Sequence, residues 1–210
     1  MSMNGLFISF EGIDGCGKST QADLLKSHLE SKGETVVLIR EPGGSIISEQ
    51  IREILLNPAN DTMDASTEAI LLAASRSQLT REVIIPALEN GHVVICDRYA
   101  DSTLAYQGYG RGIKLEWLEK LNAFATAGVK PDITLLVDLS VDEALRRMES
   151  KSFDRIEMEG VEFLERVRSG YLEMAESYCE RYFMLNGIHT IEEMSKMIIN
   201  KVEEIKSEIN

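Results

Sequence analysis

The chain is 210 residues long, 44% hydrophobic and 27% charged, which suits one sizeable core in a single domain and excludes wholesale disorder. Its 35 acidic against 22 basic side chains leave a net charge of −13, which disfavours non-specific binding to nucleic acid or anionic membranes, and neither is expected as a partner. No apolar run reaches the roughly 20 residues of a membrane helix. No basic leader is expected, and Cys16, Cys96 and Cys179 form no CxxC pair, which points to a reducing, cytoplasmic setting.

Residues 6–10 read as a buried strand that stops at a cluster of Gly12, Gly15 and Gly17. A helix is predicted over 18–32, with Leu24, Leu25, His28 and Leu29 on one side and Gly33 as its stop. A second strand spans 35–39 and breaks at Pro42-Gly43-Gly44. Helices follow over 46–56 and 66–89 around a polar loop at 57–64, and then a third strand over 93–96. Trp117, Leu118, Leu121 and Phe124 fall on one helical face, and Pro131 resets the chain before a fourth strand at 133–137. Residues 144–150 and 159–181 read as helices around a polar stretch at 151–157. Residues 182–185 read as a weak fifth strand, and a final helix from Ile191 is apolar at Met194, Ile198, Val202 and Ile205. Apolar strands alternating with helices predict an α/β fold, a five-stranded parallel sheet between two helical layers.

The segment Gly12-Ile13-Asp14-Gly15-Cys16-Gly17-Lys18-Ser19 satisfies G-x-x-x-x-G-K-[ST] in the strand–loop–helix setting that confirms it. Glycines let successive N–H groups curl around phosphate oxygens, and the helix N-terminus adds partial positive charge. Here Lys18 is expected on the β- and γ-phosphates and the Ser19 hydroxyl on Mg²⁺. The nucleoside-triphosphate site then runs from Gly12 through Thr20.

A P-loop alone fits kinases, ATPases, GTPases and inert binders. The nearest match to a guanine-reading N-K-x-D is Asn200-Lys201-Val202-Glu203, inside the last helix and ending in Glu. Other polar clusters are more telling. Arg40-Glu41-Pro42-Gly43-Gly44 follows strand two and Asp97-Arg98-Tyr99 follows strand three. Residues 151–157 follow strand four and its helix. Segments leaving the carboxyl ends of parallel strands gather at one edge, so these clusters meet the P-loop there as a two-substrate site.

The sequence resembles the thymidylate kinases, nucleoside-monophosphate kinases that make dTDP from dTMP and ATP. Phe10-Glu11-Gly12-Ile13-Asp14-Gly15 with Gly17-Lys18-Ser19-Thr20-Gln21 is similar to the family's P-loop. Arg40-Glu41-Pro42-Gly43-Gly44 is similar to its second signature, and Asp97-Arg98-Tyr99 with Ala105-Tyr106-Gln107-Gly108 to its third. The resemblance implies a P-loop NTPase fold over 1–210 with a short lid at about 147–157, and a homodimer. It implies Arg98 on the acceptor phosphate, Asp97 and Ser19 on Mg²⁺, and Asp14 near the sugar and acceptor phosphate. Glu41 and Pro42 belong to the acceptor side. Arg76 and Gln107 are expected at the base edge, Thr103 beside Tyr106, and Tyr106 where a 2′-hydroxyl would sit. Leu72 stands where family members often carry a phenylalanine that stacks on thymine. The P-loop contains no arginine, so the lid is expected to supply the transfer cation, with Arg147, Lys151 and Arg155 as candidates. Other monophosphate kinases and a non-catalytic nucleotide switch are the alternatives.

Overall fold

Side chains alternate across a strand, so a strand apolar at every position must be covered on both faces. Strand β1 (Phe7–Glu11) is buried along its whole length. Its Phe7 packs in one apolar cluster with Val94, Cys96, Leu79 and Ile84. Its Ile8 and Phe10 pack in another with Leu25, Leu29, Ile95 and Val137. The computed structural model describes residues 4–148 and 154–209. Strands β2 (Val36–Arg40), β3 (Val93–Asp97), β4 (Ile133–Asp138) and β5 (Tyr182–Asn186) join β1 in one five-stranded sheet of order β2-β3-β1-β4-β5. Every pairing in it is parallel. Helices lie in layers on both sides of the sheet, as the alternation of elements predicts.

The helices among the described residues are α1 (Lys18–Ser31), α2 (Ile46–Leu56), α3 (Ala65–Leu79), α4 (Ile85–Glu89), α5 (Ala100–Thr103), α6 (Leu115–Ala125), α7 (Val141–Met148), α8 (Val161–Ser177) and α9 (Ile191–Ile209). The single helix predicted over 66–89 carries a π-helical segment, Thr80–Ile84, between α3 and α4. Pro86 explains it: with no N–H and a bulky ring, proline cannot continue a regular i→i−4 ladder. A second π-helical segment, Leu104–Gly110, extends α5 and packs on α8. Helix α8 starts two residues later than predicted, after Gly160 at φ 88. Strand β5 is stronger than its sequence suggests, because β4 offers it a five-residue partner from Thr134↔Tyr182 to Asp138↔Asn186.

Candidate functional site

The turn after β1 works only with glycine. Gly12 has φ 134, and a Cβ there would meet the Val137 carbonyl oxygen at 2.4 Å. Gly15 has φ 81, and its Cβ would meet the Ala144 carbonyl oxygen of α7 at 2.6 Å. Gly17 caps α1 at φ 102. The loop therefore curls tightly between β1 and α7 with its amides free of side-chain obstruction. Lys18 is buried and donates from Nζ to the Ile13 carbonyl at 2.9 Å, with Asp14 Oδ1 at 3.8 Å. Ile13 and Cys16 are buried under the loop, whereas Ser19 and Thr20 are exposed on the first turn of α1. Ser19 Oγ donates to Asp97 Oδ2 at 2.5 Å. Both groups open on a cleft of about 400 Å³ beside Arg40 and Glu49.

Parallel pairing of β1 and β3 puts Arg98 beside that loop: its N–H donates to the Phe10 carbonyl at 2.9 Å. Arg98 has φ 71, a left-handed conformation that non-glycine residues seldom adopt. The turn is held by Glu11, whose Oε1 accepts the Tyr99 N–H at 2.8 Å. Glu11 Oε2 accepts the hydroxyls of Ser102 at 2.6 Å and Tyr171 at 2.8 Å. The Arg98 guanidinium donates to Asp14 Oδ1 at 2.8 Å and to the Tyr106 hydroxyl at 2.9 Å. Burial raises the Asp14 carboxyl, but the Arg98 and Lys18 charges outweigh it and hold the group well below the ordinary carboxylate range. Burial and the neighbouring Asp101 charge push the fully buried Glu11 the other way, up to about 7.

Beneath Arg98 lies a cavity of about 110 Å³, walled by residues of six separate stretches of chain, among them Asp14, Glu41, Arg52, Leu72, Gln107 and Ile156. Pro42, Thr103 and Tyr106 line it too, so every residue expected on the acceptor side is at this one place. Arg76, expected at the base edge, also lines it, but its donors are engaged by protein. Nε donates to Glu41 Oε2 at 2.7 Å, and Nη1 donates to Thr103 Oγ1 and Asn122 Oδ1, each at 2.8 Å. Nη2 donates to the Tyr99 carbonyl at 3.0 Å. Burial pushes the Glu41 carboxyl up even though Arg76 opposes it. Glu41 Oε1 and Gln107 Oε1 are buried without a hydrogen-bond partner.

The expected lid cations do not converge. Arg155 is buried at 6% exposure, donating to Glu68 Oε2 at 2.6 Å and to the Leu55 carbonyl at 2.8 Å. It is therefore bound to Glu68, the carboxylate that also holds Gln107, rather than free to face the P-loop. Arg147 donates to Glu143 Oε1 at 2.9 Å and to the Gly187 carbonyl at 3.0 Å. Lys151 lies outside the described residues, as does the middle of the expected lid.

A family model described as Thymidylate kinase matches residues 10–198, from the end of β1 into α9. The chain belongs to the thymidylate kinase family. The thymidylate kinase of Caldanaerobacter subterraneus subsp. tengcongensis is 46% identical over 202 residues, which are 96% of this chain and 97% of that one. The thymidylate kinase of Desulforudis audaxviator is 50% identical over 186 residues, 88% of this chain and 84% of that one. The crystal structure of thymidylate kinase from Ehrlichia chaffeensis matches with a TM-score of 0.79 at 33% identity, over 95% of this chain and 99% of that one.

Within this thymidylate kinase fold, several wall residues carry no motif. Arg52 sits two turns into α2, donates to the Pro42 carbonyl at 2.8 Å and lines the cavity. Its signal in the sequence is only that α2 starts at the sheet edge, so a cation in its second turn stays near that edge. Asp154 and Ser102 line the cavity as well, and Tyr171 and Glu68 stand behind it. Nothing in the spacing of the chain marks Tyr171 or Glu68, because their partners are far away in sequence.

Proposed function

We propose that the P-loop binds ATP with Mg²⁺ and that the cavity beneath Arg98 binds dTMP, in a single domain with its lid at about 147–157. The reaction is transfer of the γ-phosphoryl group of ATP to dTMP, giving dTDP and ADP. The observation that carries this assignment is the 2.8 Å contact of Arg98 with Asp14. It joins the triphosphate loop to a guanidinium of the cavity wall, where donor and acceptor phosphates would meet.

Arg98, with Arg52 in the wall of the same cavity, clamps the acceptor phosphate. Lys18 and the P-loop amides from Gly12 to Ser19 hold the donor chain in line with it. A phosphate monoester with a second pKa near ~6 is mostly a dianion at neutral pH, so the acceptor needs no general base. Catalysis then rests on positioning and preorganised charge. Helix α7 packs against the P-loop at Gly15, which favours Arg147 as the lid cation nearest the donor phosphates. Leu72 and Pro42 supply the apolar walls for the base. The Tyr106 hydroxyl, held by Arg98, occupies the side where a ribose 2′-hydroxyl would project.

Ser19 and Asp97 fit Mg²⁺, which prefers hard oxygens, keeps several waters and takes its remaining ligands from phosphates. Among the described residues no group of three or more His, Cys, Asp or Glu offers an all-protein metal cage. When bound there, the ion neutralises phosphate charge and fixes the geometry of the donor.

We propose further that the protein is a cytoplasmic homodimer. Its cysteines are free thiols, and no helix among the described residues is long and apolar enough to cross a membrane. Ile70 on α3 and Phe124 on α6 are 51% and 76% exposed on two helices that pack together. Large apolar side chains exposed on adjoining helices support an interface there.

The test is ADP release from Mg-ATP with dTMP, dUMP, dCMP, UMP, dGMP and AMP as acceptors. Fast turnover with dTMP is expected. Equal use of all six contradicts the dTMP assignment, and ATP binding without acceptor-stimulated ADP release supports a nucleotide switch instead.

A further inference from the structure

Gln107 is 1% exposed in the π-helical segment Leu104–Gly110 and forms part of the cavity wall. Its Nε2 donates to Glu68 Oε1 at 2.8 Å. Glu68, on α3, is fully buried and accepts from two guanidiniums as well. Arg111 donates from Nε to Oε1 at 3.1 Å and from Nη2 to Oε2 at 2.9 Å, and Arg155 donates to Oε2 at 2.6 Å. Burial raises the Glu68 carboxyl, but hydrogen bonds from Arg111 and Gln107, the Arg111 charge and Arg155 outweigh it and keep the group below its ordinary value. It is therefore a carboxylate, and a carboxylate only accepts.

A side-chain amide has one donating and one accepting end. Against an acceptor-only partner it has one workable orientation, with NH₂ toward Glu68 and the carbonyl turned the other way. That carbonyl, Gln107 Oε1, is buried and unpartnered. A buried acceptor without a donor is unfavourable, so whatever fills the cavity binds best when it brings an N–H. Among the neighbouring polar groups, Arg76 donates to Glu41, Thr103, Asn122 and Tyr99, and Thr103 Oγ1 accepts from Arg76; Glu41 Oε1 is a second unpartnered acceptor, so the cavity offers no free donor among these groups.

We infer that Glu68 is a specificity-determining residue: by holding the Gln107 NH₂, it makes the base-reading group of the pocket an acceptor. The pocket then selects a 4-oxopyrimidine, which carries N–H at ring position 3, over a 4-aminopyrimidine, which carries a lone pair there. Glu68 acts through Gln107 and is a positioning residue. The inference rests on the proposed assignment of the cavity to dTMP.

The experiment compares kcat/KM for dUMP and dCMP, which share sugar and phosphate and differ only at the position-3/position-4 edge. Wild-type protein is expected to prefer dUMP by about 100-fold or more, the range in which an unpaired buried polar group rejects an analogue. Glu68→Gln offers both a donor and an acceptor, so Gln107 is free to turn over and the preference is expected to shrink about tenfold or more. Glu68→Asp remains acceptor-only and is expected to retain the preference even where both rates fall. A Glu68→Gln ratio equal to that of wild type overturns the inference.

Should Glu68→Gln fail to fold, the wild-type protein decides. The Gln107 side-chain amide resonance, assigned by its loss in Gln107→Leu, is expected to keep its proton shifts when dTMP is added. Large shifts of the NH₂ protons would show that the donor end meets the base and would overturn the inference. Wild-type protein without dTMP-stimulated ADP release contradicts the proposed function itself. Intact dTMP activity with an unmoved dUMP/dCMP ratio contradicts only the role of Glu68.

Discussion

The P-loop and the cavity beneath Arg98, the proposed donor and acceptor halves of the site, are built by different means. The P-loop is local: eight consecutive residues, with Gly12 and Gly15 fitted so closely to Val137 and Ala144 that a Cβ cannot be added. Its side chains are partly on the surface, with Ser19 and Thr20 exposed. The cavity proposed for the acceptor is assembled from distant side chains. Arg76 reaches Glu41 across 35 positions, Arg98 reaches Asp14 across 84, and Arg155 reaches Glu68 across 87. The loop concentrates its chemistry in a few contiguous residues, and the rest of the fold enters mainly as the backbone its glycines are fitted against. A scaffold of buried ion pairs ties recognition to stability, because breaking one pair leaves an uncompensated charge inside.

That contrast is open to being broken. The largest expected effect is on the donor side: Lys18→Met is expected to lower kcat by about 10²–10³-fold, the loss typical of removing one preorganised donor. Its unfolding midpoint, read by thermal melting, is expected to stay near that of wild type. On the acceptor side Arg76→Ala leaves Glu41 buried and unpaired, and its other three acceptors lose their donor as well. It is expected to destabilise the protein by about 3–5 kcal/mol, measured by urea titration. Equal stability losses for the two variants would erase the distinction.

A smaller effect concerns Glu11, which joins the two halves. Its carboxyl is raised to about 7 in the folded protein from an ordinary 4.5. Between those values the folded state binds the extra proton, so the contribution of Glu11 to stability is present at low pH and is lost as pH rises toward 7. Glu11→Gln carries no charge at either end of that window. The Tm difference between Glu11→Gln and wild type is therefore expected to move in favour of the variant from pH 5 to pH 7.5. A Tm difference that does not move between those pH values would mean that Glu11 is ionised throughout and would contradict the raised carboxyl.

The same contrast explains what could be read from the chain beforehand. The P-loop was legible because its residues are contiguous and each glycine has a geometric reason. The strands were legible because runs such as Phe7–Glu11 and Val93–Asp97 are apolar on both faces. Strand β5 read as weak because a four-residue run carries little pattern, while its partner β4 is out of sight in the sequence. Arg98 and Tyr106 came through resemblance, and the structure brings both to the cavity. Arg155 was expected to face phosphates, and its burial against Glu68 follows from a pairing that no spacing rule shows. Arg52, Tyr171 and Glu68 were silent for the same reason: each is defined by a partner on another element.

The central claim is that the cavity beneath Arg98 is the acceptor site and is separate from the P-loop in what it binds. Calorimetric titration of dTMP and, separately, of Mg-ATP into wild-type protein and Arg98→Met tests it most directly. The expected result is that dTMP binds wild type without a donor nucleotide and binds Arg98→Met about tenfold or more weakly, in line with losing a charge-assisted phosphate contact, while Mg-ATP affinity barely changes. Weakened Mg-ATP binding with dTMP affinity intact would place Arg98 on the donor side and contradict the account.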